Sequence, residues 1–360
     1  MQKQIKALNF EEQNIYAGID VHLKSWTVTV LTEHVTHKTF SQPPDTQALY
    51  KYLTGNFPGG QYHTVYEAGF SGFWLHYQLV SMGVNSIVIN AADVPTNQKE
   101  RTQKTDKVDS RKLARALRSG DLKAIHVPDT STLSDRSLVR TRSTIVKDMI
   151  RSKQRIKSFL YFYGINYPQE YAARSTHWTK RFVKWLRSIN LDCSTGTQSL
   201  NILIDQLENQ REQLLKTTRK IRDLSQSDSY SRDITLLRSI PGIGSITSIT
   251  LLTELGSISR FSDADRLAAF VGLVPKCHSS GEDDNKGEMT FRHNDHLLQM
   301  IIESSWFAVR SDPAMSFCYS KYVQRMDENK AIIRIARKLI NRIYAVLKQQ
   351  KEYVCGINNV

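Results

Sequence analysis

Tyr16-Ala17-Gly18-Ile19-Asp20-Val21-His22-Leu23-Lys24-Ser25-Trp26 decides how the rest of the chain is read. Apolar and β-branched residues lead into one carboxylate, Asp20, and resume in Thr27-Val28-Thr29-Val30-Leu31. This pattern predicts a hydrophobic strand that turns back into a second strand. A carboxylate inside such a strand is costly to bury unless it is paired or bound to a cation. An Asp at a strand end that bonds a turn is the plainer alternative. Three carboxylates downstream weigh against it.

The stretch from Ile15 to about Pro128 is mixed α/β. Lys38–Ser41 is a short run, and Gln47–Leu53 reads as a helix. Thr64-Val65-Tyr66-Glu67 reads as a strand ending in an acid. Gly69 and Gly72 break it, and Phe73–Met82 restarts as an amphipathic helix. Ser86–Ile89 has the composition of a buried strand. A basic, polar stretch, Lys99–Thr105, leads into a strong helix former, Asp106–Leu117, closed by Gly120. Ile125–Val127 is expected as one last short strand.

Asp106 and Asp109 are three apart and share one helix face. Set against Asp20 and Glu67, they bring four hard oxygen donors together. Such a cluster repels itself unless it holds a cation. With one or two Mg²⁺ it becomes the clamp used in phosphoryl transfer. The alternative is local: Asp106 caps the helix, and Asp109 sits at its third position as in a capping box. One residue can both cap and ligate. His22 reads as a polar strand-end histidine that could also line the metal site.

With 360 residues the chain is expected to form two or three domains, at about 150 residues each. A hydrophobic content of 40% is sufficient for real cores. There are 49 Lys and Arg against 35 Asp and Glu, a formal net charge of +14. That excess points to a polyanion, and nucleic acid is the first candidate. A membrane surface fits less well, because no long basic helix carries a bulky apolar face. No apolar run is long enough to span a bilayer, and Met1–Phe10 lacks the apolar core of a signal peptide. Cys193, Cys277, Cys318 and Cys355 form no Cys-x-x-Cys pair, so neither zinc nor a disulfide framework is expected. A reducing cytoplasm is the expected location.

From about Leu133 to Leu224 the chain reads as helical with a loop-like middle. Ile145, Met149, Ile156 and Phe159 follow a seam, flanked by basic residues that include Arg151 and Arg155. Leu200, Leu203, Leu207, Leu214, Ile221 and Leu224 occupy heptad positions, with Gln210 and Thr217 as polar members. Two such arms can pair as an antiparallel coiled coil, within one chain or between chains. An ordinary bundle with solvated charges is the alternative. Beyond Asp233 the chain reads as mostly helical. Leu236–Leu252 is helix, Gly-rich turn, helix. Its Gly242 and Gly244 would let the backbone approach a phosphate at a helix N-terminus, or would simply make a tight turn between packed helices. A loop containing Pro275, Gly281 and Gly287 follows, and then two amphipathic helices, Leu297–Val309 and Ala331–Lys348. The five tryptophans, Trp26, Trp74, Trp178, Trp185 and Trp306, read as core or interface residues.

The strand-Asp, strand-Glu, helix Asp-x-x-Asp order resembles the RuvC-like branch of the RNase H fold. With the C-terminal third, the chain resembles the DEDD transposases of the IS-one-ten insertion-sequence family. The matching stretches are Gly18–His22, Tyr66–Gly69, Lys104–Ser110, Ile240–Gly244, Phe270–Pro275 and His278–Gly281. They cover nearly the whole chain in the family's order. The resemblance implies an α/β plus all-α architecture: a catalytic RNase H-like domain over 1–130, helical coiled-coil arms over 131–230, and a mostly helical transposase domain with a helix-hairpin-helix-like segment over 231–360.

The resemblance further implies a transposase or DNA recombinase guided by a structured RNA. It would hold Mg²⁺ on Asp20, Glu67, Asp106 and Asp109 and act on double-stranded donor and target DNA as a homo-oligomer, dimeric and tetrameric when synapsed. Its nucleophile maps to Ser280, the serine before Gly281, with Ser279 as the fallback. A hydroxyl needs a nearby base or metal for activation; the carboxylate-bound Mg²⁺ would serve if the two domains meet over one phosphate. Gly242, Gly244, Lys276, Arg151 and Arg155 are the expected nucleic-acid contacts. Two departures stand out. Glu282-Asp283-Asp284 precedes Lys286 where basic residues are expected, and Phe291-Arg292-His293-Asn294 replaces a Gly-Asn pair. The rival readings are a RuvC-like junction-resolving nuclease that uses water, a non-catalytic nucleic-acid scaffold and, last, a sugar-kinase-like ATPase, which lacks a second Gly-rich loop for adenosine.

Overall fold

Asn14–Val21 and Trp26–Leu31 form strands β1 and β2, the expected hairpin, in antiparallel register from Tyr16↔Leu31 to Val21↔Trp26. The computed structural model describes residues 9–95, 105–280, 283–290 and 292–356, with side chains described except at 276–280 and 283–289. The expected basic stretch Lys99–Lys104 lies outside the described residues. The chain divides into two compact units, Met1–Val127 and Pro128–Val360.

In the first unit, β3 (Thr36–Gln42) pairs antiparallel with β2. Helix α1 (Thr46–Asn56) starts at Asp45, whose side chain accepts from the Gln47 N–H at 2.8 Å. β4 (Gln61–Glu67) returns parallel to β1. After α2 (Trp74–Ser81), β5 (Asn85–Ile89) lies parallel to β4. The sheet order is β3-β2-β1-β4-β5, the mixed sheet expected of an RNase H-like domain. Every residue of β2 is buried, so the sheet is covered on both faces. Ile15, Ala17, Ile19, Val28 and Tyr66 form one core with Leu49 and Leu53 of α1 and Leu75 and Leu79 of α2.

Helix α3 (Asp106–Ser119) covers the opposite face, where Val65 and Ile89 meet Leu113. Gly18 permits this approach: a Cβ there would lie 2.3 Å from both Ala114 N and Ser110 O. The buried Thr29 and Ser110 hydroxyls bond at 2.9 Å and fix the helix to the sheet. Gly120 closes α3 with φ +78°. The strand expected over Ile125–Val127 is not formed. Ala124 makes a single bridge to Ile89, and Ile125 N–H donates to Val88 O at 2.8 Å.

In the second unit, α4 (Thr130–Phe162) and α6 (Ser194–Ser225) pair antiparallel. Arg142, near the start of α4, bonds Thr218 near the end of α6, while Ile156 and Leu160 pack with Leu200 and Ile204. α5 (Lys180–Ser188) buries Phe182, Val183 and Leu186 against this far end. The seam differs in detail from the expected heptad. Ser152, Ile204 and Ser225 are buried, whereas Leu203, Leu214, Ile145 and Met149 are only partly so. Thr217, Ile221 and Ser225 recur every fourth residue, because this end of α6 packs into a globular core rather than along one partner helix.

That core joins Val139 and Ile221 to α7 (Ser231–Arg238), α8 (Ser245–Leu255), α9 (Ala264–Val271), α10 (Asp295–Ser311), α11 (Pro313–Val323) and α12 (Glu328–Gln349). The segment expected as a loop is instead a two-stranded antiparallel hairpin, β6 (Pro275–Ser280) and β7 (Asp283–Met289). Its polar composition hid it: too few apolar residues alternate to show a strand period. Of the tryptophans, Trp26 is fully buried, whereas Trp74 is 40% exposed. Among the described residues, no helix is long and apolar enough to cross a membrane.

Candidate metal centre and nucleic-acid interface

Side chains two apart on a strand share a face. Gly18 of β1 faces α3, so Asp20 does too. Val65 of β4, the register partner of Gly18, packs on the α3 side, which puts Glu67 on that same face at the matching C-terminal end of the neighbouring strand. The first turn of α3 then supplies Asp106 and Asp109. The helix cap is Thr105, whose hydroxyl accepts from the Val108 N–H at 3.3 Å. This corrects the local alternative: Asp106 is not the cap and its carboxylate is left available.

His22 Nε2 lies 3.2 Å from Asp20 Oδ2 and 3.6 Å from Asp106 Oδ1. Potential ligand atoms of Asp20, His22 and Asp106 all fall within 4.8 Å of one another. Among the described residues, Asp109 and Glu67 are outside this close group. Asp109 Oδ1 is 3.7 Å from Lys112 Nζ. Burial pushes the Asp20 carboxyl above its ordinary range; His22 opposes this, and the Asp106 and Asp109 charges add to it. Mutual repulsion among hard oxygen donors is what a divalent cation relieves, so the set fits Mg²⁺ or a similar ion.

His22, expected as a polar strand-end residue that could line the metal site, lies against two of the four expected acids. The sequence signal was its Asp-x-His spacing at the end of β1.

In the second unit, Gly242 has φ +93°, and a Cβ there would lie 2.5 Å from Ser304 O and 2.9 Å from Ala308 N. The close approach of α10 therefore accounts for this glycine. Gly244 is different. It is exposed, has nothing within 4 Å of a Cβ position, and is the N-cap of α8 with no side-chain cap. The first N–H groups of α8 are thus placed as donors for an anion. On α4, Arg151 and Arg155 are exposed one turn apart, and Arg151 Nη1 bonds Asp148 Oδ1 at 2.9 Å. Ser280 ends β6 in register with Asp283, and Lys276 lies in the same strand; Gly281 and Phe291 lie outside the described residues.

A mixed five-stranded sheet with an acidic end, followed by a mostly helical unit, is the arrangement of the RNase H-like, acidic-site class to which DEDD transposases belong. Known proteins agree. A DEDD family model described as Transposase matches residues 17–165, and one described as Transposase IS116/IS110/IS902 family matches residues 234–320. The y4qE protein of Sinorhizobium fredii is 28% identical over 296 residues, covering 82% of this chain and 70% of that protein. The transposase for insertion sequence element IS1533 of Leptospira borgpetersenii is 26% identical over 250 residues, covering 68% of this chain and 70% of the relative. The pilin gene-inverting protein of Moraxella bovis is 30% identical over 162 residues, covering 42% of this chain and 45% of that protein. The chain belongs to the IS110 family of insertion-sequence transposases.

Proposed function

We propose that the protein cuts and rejoins DNA at the ends of an insertion element through a covalent link to Ser280. The observation that carries this reading is the gathering of Asp20, His22 and Asp106 at one sheet edge, with Glu67 and Asp109 on the same face. Asp20, Glu67, Asp106 and Asp109 would hold a divalent cation such as Mg²⁺, which would supply neutralising charge for the phosphoryl oxygens. In the chemical step the Ser280 Oγ–phosphorus bond forms and one phosphorus–oxygen bond of the DNA breaks. The hydroxyl proton leaves to a base, and the freed sugar oxygen takes up a proton. Because the new bond is again a phosphodiester, religation needs no outside energy.

Double-stranded DNA is the substrate in this reading, with a structured RNA guiding the choice of site. The +14 net charge, the exposed Arg151 and Arg155 and the uncapped start of α8 at Gly244 supply phosphate contacts, and Lys276 adds one from β6. Such contacts position a backbone without reading bases, which leaves sequence choice to pairing. Tyr161 and Phe162, 88% and 79% exposed at the far end of α4, support assembly into a homo-oligomer. One relative is named for inverting a pilin gene, a rearrangement that also requires cutting and rejoining.

The test is a denaturing gel of the assembled protein with labelled element ends. A protein–DNA adduct is expected with the unaltered chain and none with Ser280→Ala, while DNA binding persists. Adducts that persist in Ser280→Ala would remove this nucleophile. Hydrolysed ends with no adduct in either protein would favour a nuclease using water.

A further inference from the structure

His22 is 50% exposed, yet its ring is not simply solvated. It turns Nε2 toward two carboxylates on different elements, Asp20 on β1 and Asp106 on α3. Among the described residues, the ion pairs of Asp20 and Asp106 are with His22 alone. The placement is built in. Asp20 is the penultimate residue of β1 and His22 follows its last residue, so the chain leaving the strand brings the imidazole back over the Asp20 carboxylate at 3.2 Å. The β1–β2 turn then holds the His22 backbone, whose N–H donates to Ser25 O at 3.2 Å just beyond the Val21↔Trp26 pair.

We propose that His22 is a ligand of the metal centre, so that one imidazole nitrogen joins the carboxylate oxygens and the site takes Mn²⁺ in preference to Mg²⁺. The inference rests on the reading of the acidic edge as a metal centre. Neighbouring donors on an octahedral ion with bonds of about 2.1 Å are separated by about 3 Å. The observed 3.2 and 3.6 Å separations from Nε2 are close to that spacing before any ion draws the donors in. A nitrogen donor also alters selectivity. Mg²⁺ dehydrates reluctantly and demands near-ideal octahedral geometry, whereas Mn²⁺, though it too takes carboxylate oxygens, loses water more readily and bonds an imidazole nitrogen more strongly than Mg²⁺ does.

Mn²⁺ titrated into the full-length protein and read by pulsed electron paramagnetic resonance reports directly coordinated ¹⁴N, whether or not the protein is active. A strong nitrogen coupling is expected in the unaltered protein. It should vanish in His22→Ala and His22→Gln, with Mn²⁺ affinity down about 10-fold and Mg²⁺ affinity changed less than about 3-fold. Both variants should keep the far-ultraviolet circular dichroism of the parent, since the ring is half-exposed. Bound Mn²⁺ that is lost in Asp20→Ala but shows no ¹⁴N coupling would overturn the ligand role and leave the metal centre standing. A coupling that survives both His22 substitutions would overturn it equally. Absence of Mn²⁺ binding, or binding indifferent to Asp20→Ala, would overturn the metal-centre reading and this inference together.

Discussion

Arg140 donates from Nε and Nη2 to the two carboxylate oxygens of Glu254, at 2.7 and 2.8 Å. The Glu254 side chain is 1% exposed, whereas that of Arg140 is 44% exposed. Asn294 Nδ2 adds a third bond to Glu254 Oε2 at 3.0 Å, and its own side-chain oxygen caps α10. One buried acid therefore ties α4, α8 and the start of α10 together. Arg136 Nε and Arg260 Nε donate to the Thr253 and Leu255 carbonyls, each at 2.8 Å, and so satisfy the C-terminal end of α8.

The unequal exposure predicts unequal costs. Arg140→Ala removes both bonds of the bidentate pair and leaves the buried carboxylate with only Asn294 and the more distant Arg136, and should destabilise the second unit by about 3 kcal/mol. Glu254→Ala leaves a half-exposed guanidinium that can hydrate, and should cost less, about 2 kcal/mol. Denaturant unfolding of both variants checks the order, and equal costs would contradict it.

The same acid sets a pH limb. Burial raises the Glu254 carboxyl, but bonds from Arg140 and Asn294 and the nearby arginine charges outweigh it and hold the group below its ordinary 4.5. A depressed folded-state value gives stability that is present above the unfolded value and lost as pH falls through the folded one. The melting-temperature advantage of the unaltered protein over Glu254→Gln should be constant near neutral pH. It should shrink progressively below 4.5.

Two glycines two residues apart should respond in opposite ways. Gly242→Ala forces a side chain into φ +93° and within 2.5 Å of Ser304 O, so α10 must shift. A loss of about 3 kcal/mol is expected. Gly244→Ala meets open space and should cost under about 1 kcal/mol as an N-cap change. Thermal melts together with filter binding to DNA should show a large stability loss only for Gly242→Ala, and weakened DNA binding at nearly unchanged stability for Gly244→Ala.

Charge removal at the acidic edge should separate stability from metal binding. The Asp20 carboxyl is raised, chiefly by burial, so its ionised form is disfavoured in the metal-free fold above the unfolded value. Asp20→Asn should therefore raise the melting temperature of metal-free protein slightly at neutral pH, by about 0.5 kcal/mol or ~1–2 °C. Millimolar Mg²⁺ or Mn²⁺ should stabilise the unaltered protein and leave Asp20→Asn unmoved. Calorimetry with and without the ion checks both halves.

Local patterns were legible where one segment's own periodicity decided its fate. The β1–β2 hairpin, the buried β5, the helix from Asp106 and its Gly120 stop follow from alternation, β-branching and capping chemistry within a few residues. Glu67, Asp106 and Asp109 were identifiable as acids at element ends for the same reason, whereas Asp20, read as lying inside its strand, stands next to the last residue of β1. Polar segments gave weaker signals: β6 and β7 were read as a loop, and the heptad reading misplaced Leu203 and Ile204.

Order along the chain thus determined most of the elements, the acidic residues and the basic character of the protein, but not the β6–β7 hairpin. The tertiary structure alone decided which side chains meet. It set His22 between Asp20 and Asp106, gave the α3 cap to Thr105, assigned Gly242 to helix packing, and joined Arg140 to Glu254 across 114 positions. The physical reason is that propensity and periodicity act over a turn or a strand. The burial of a charge, the need for a partner and the fit of one backbone against another are settled only when distant segments pack.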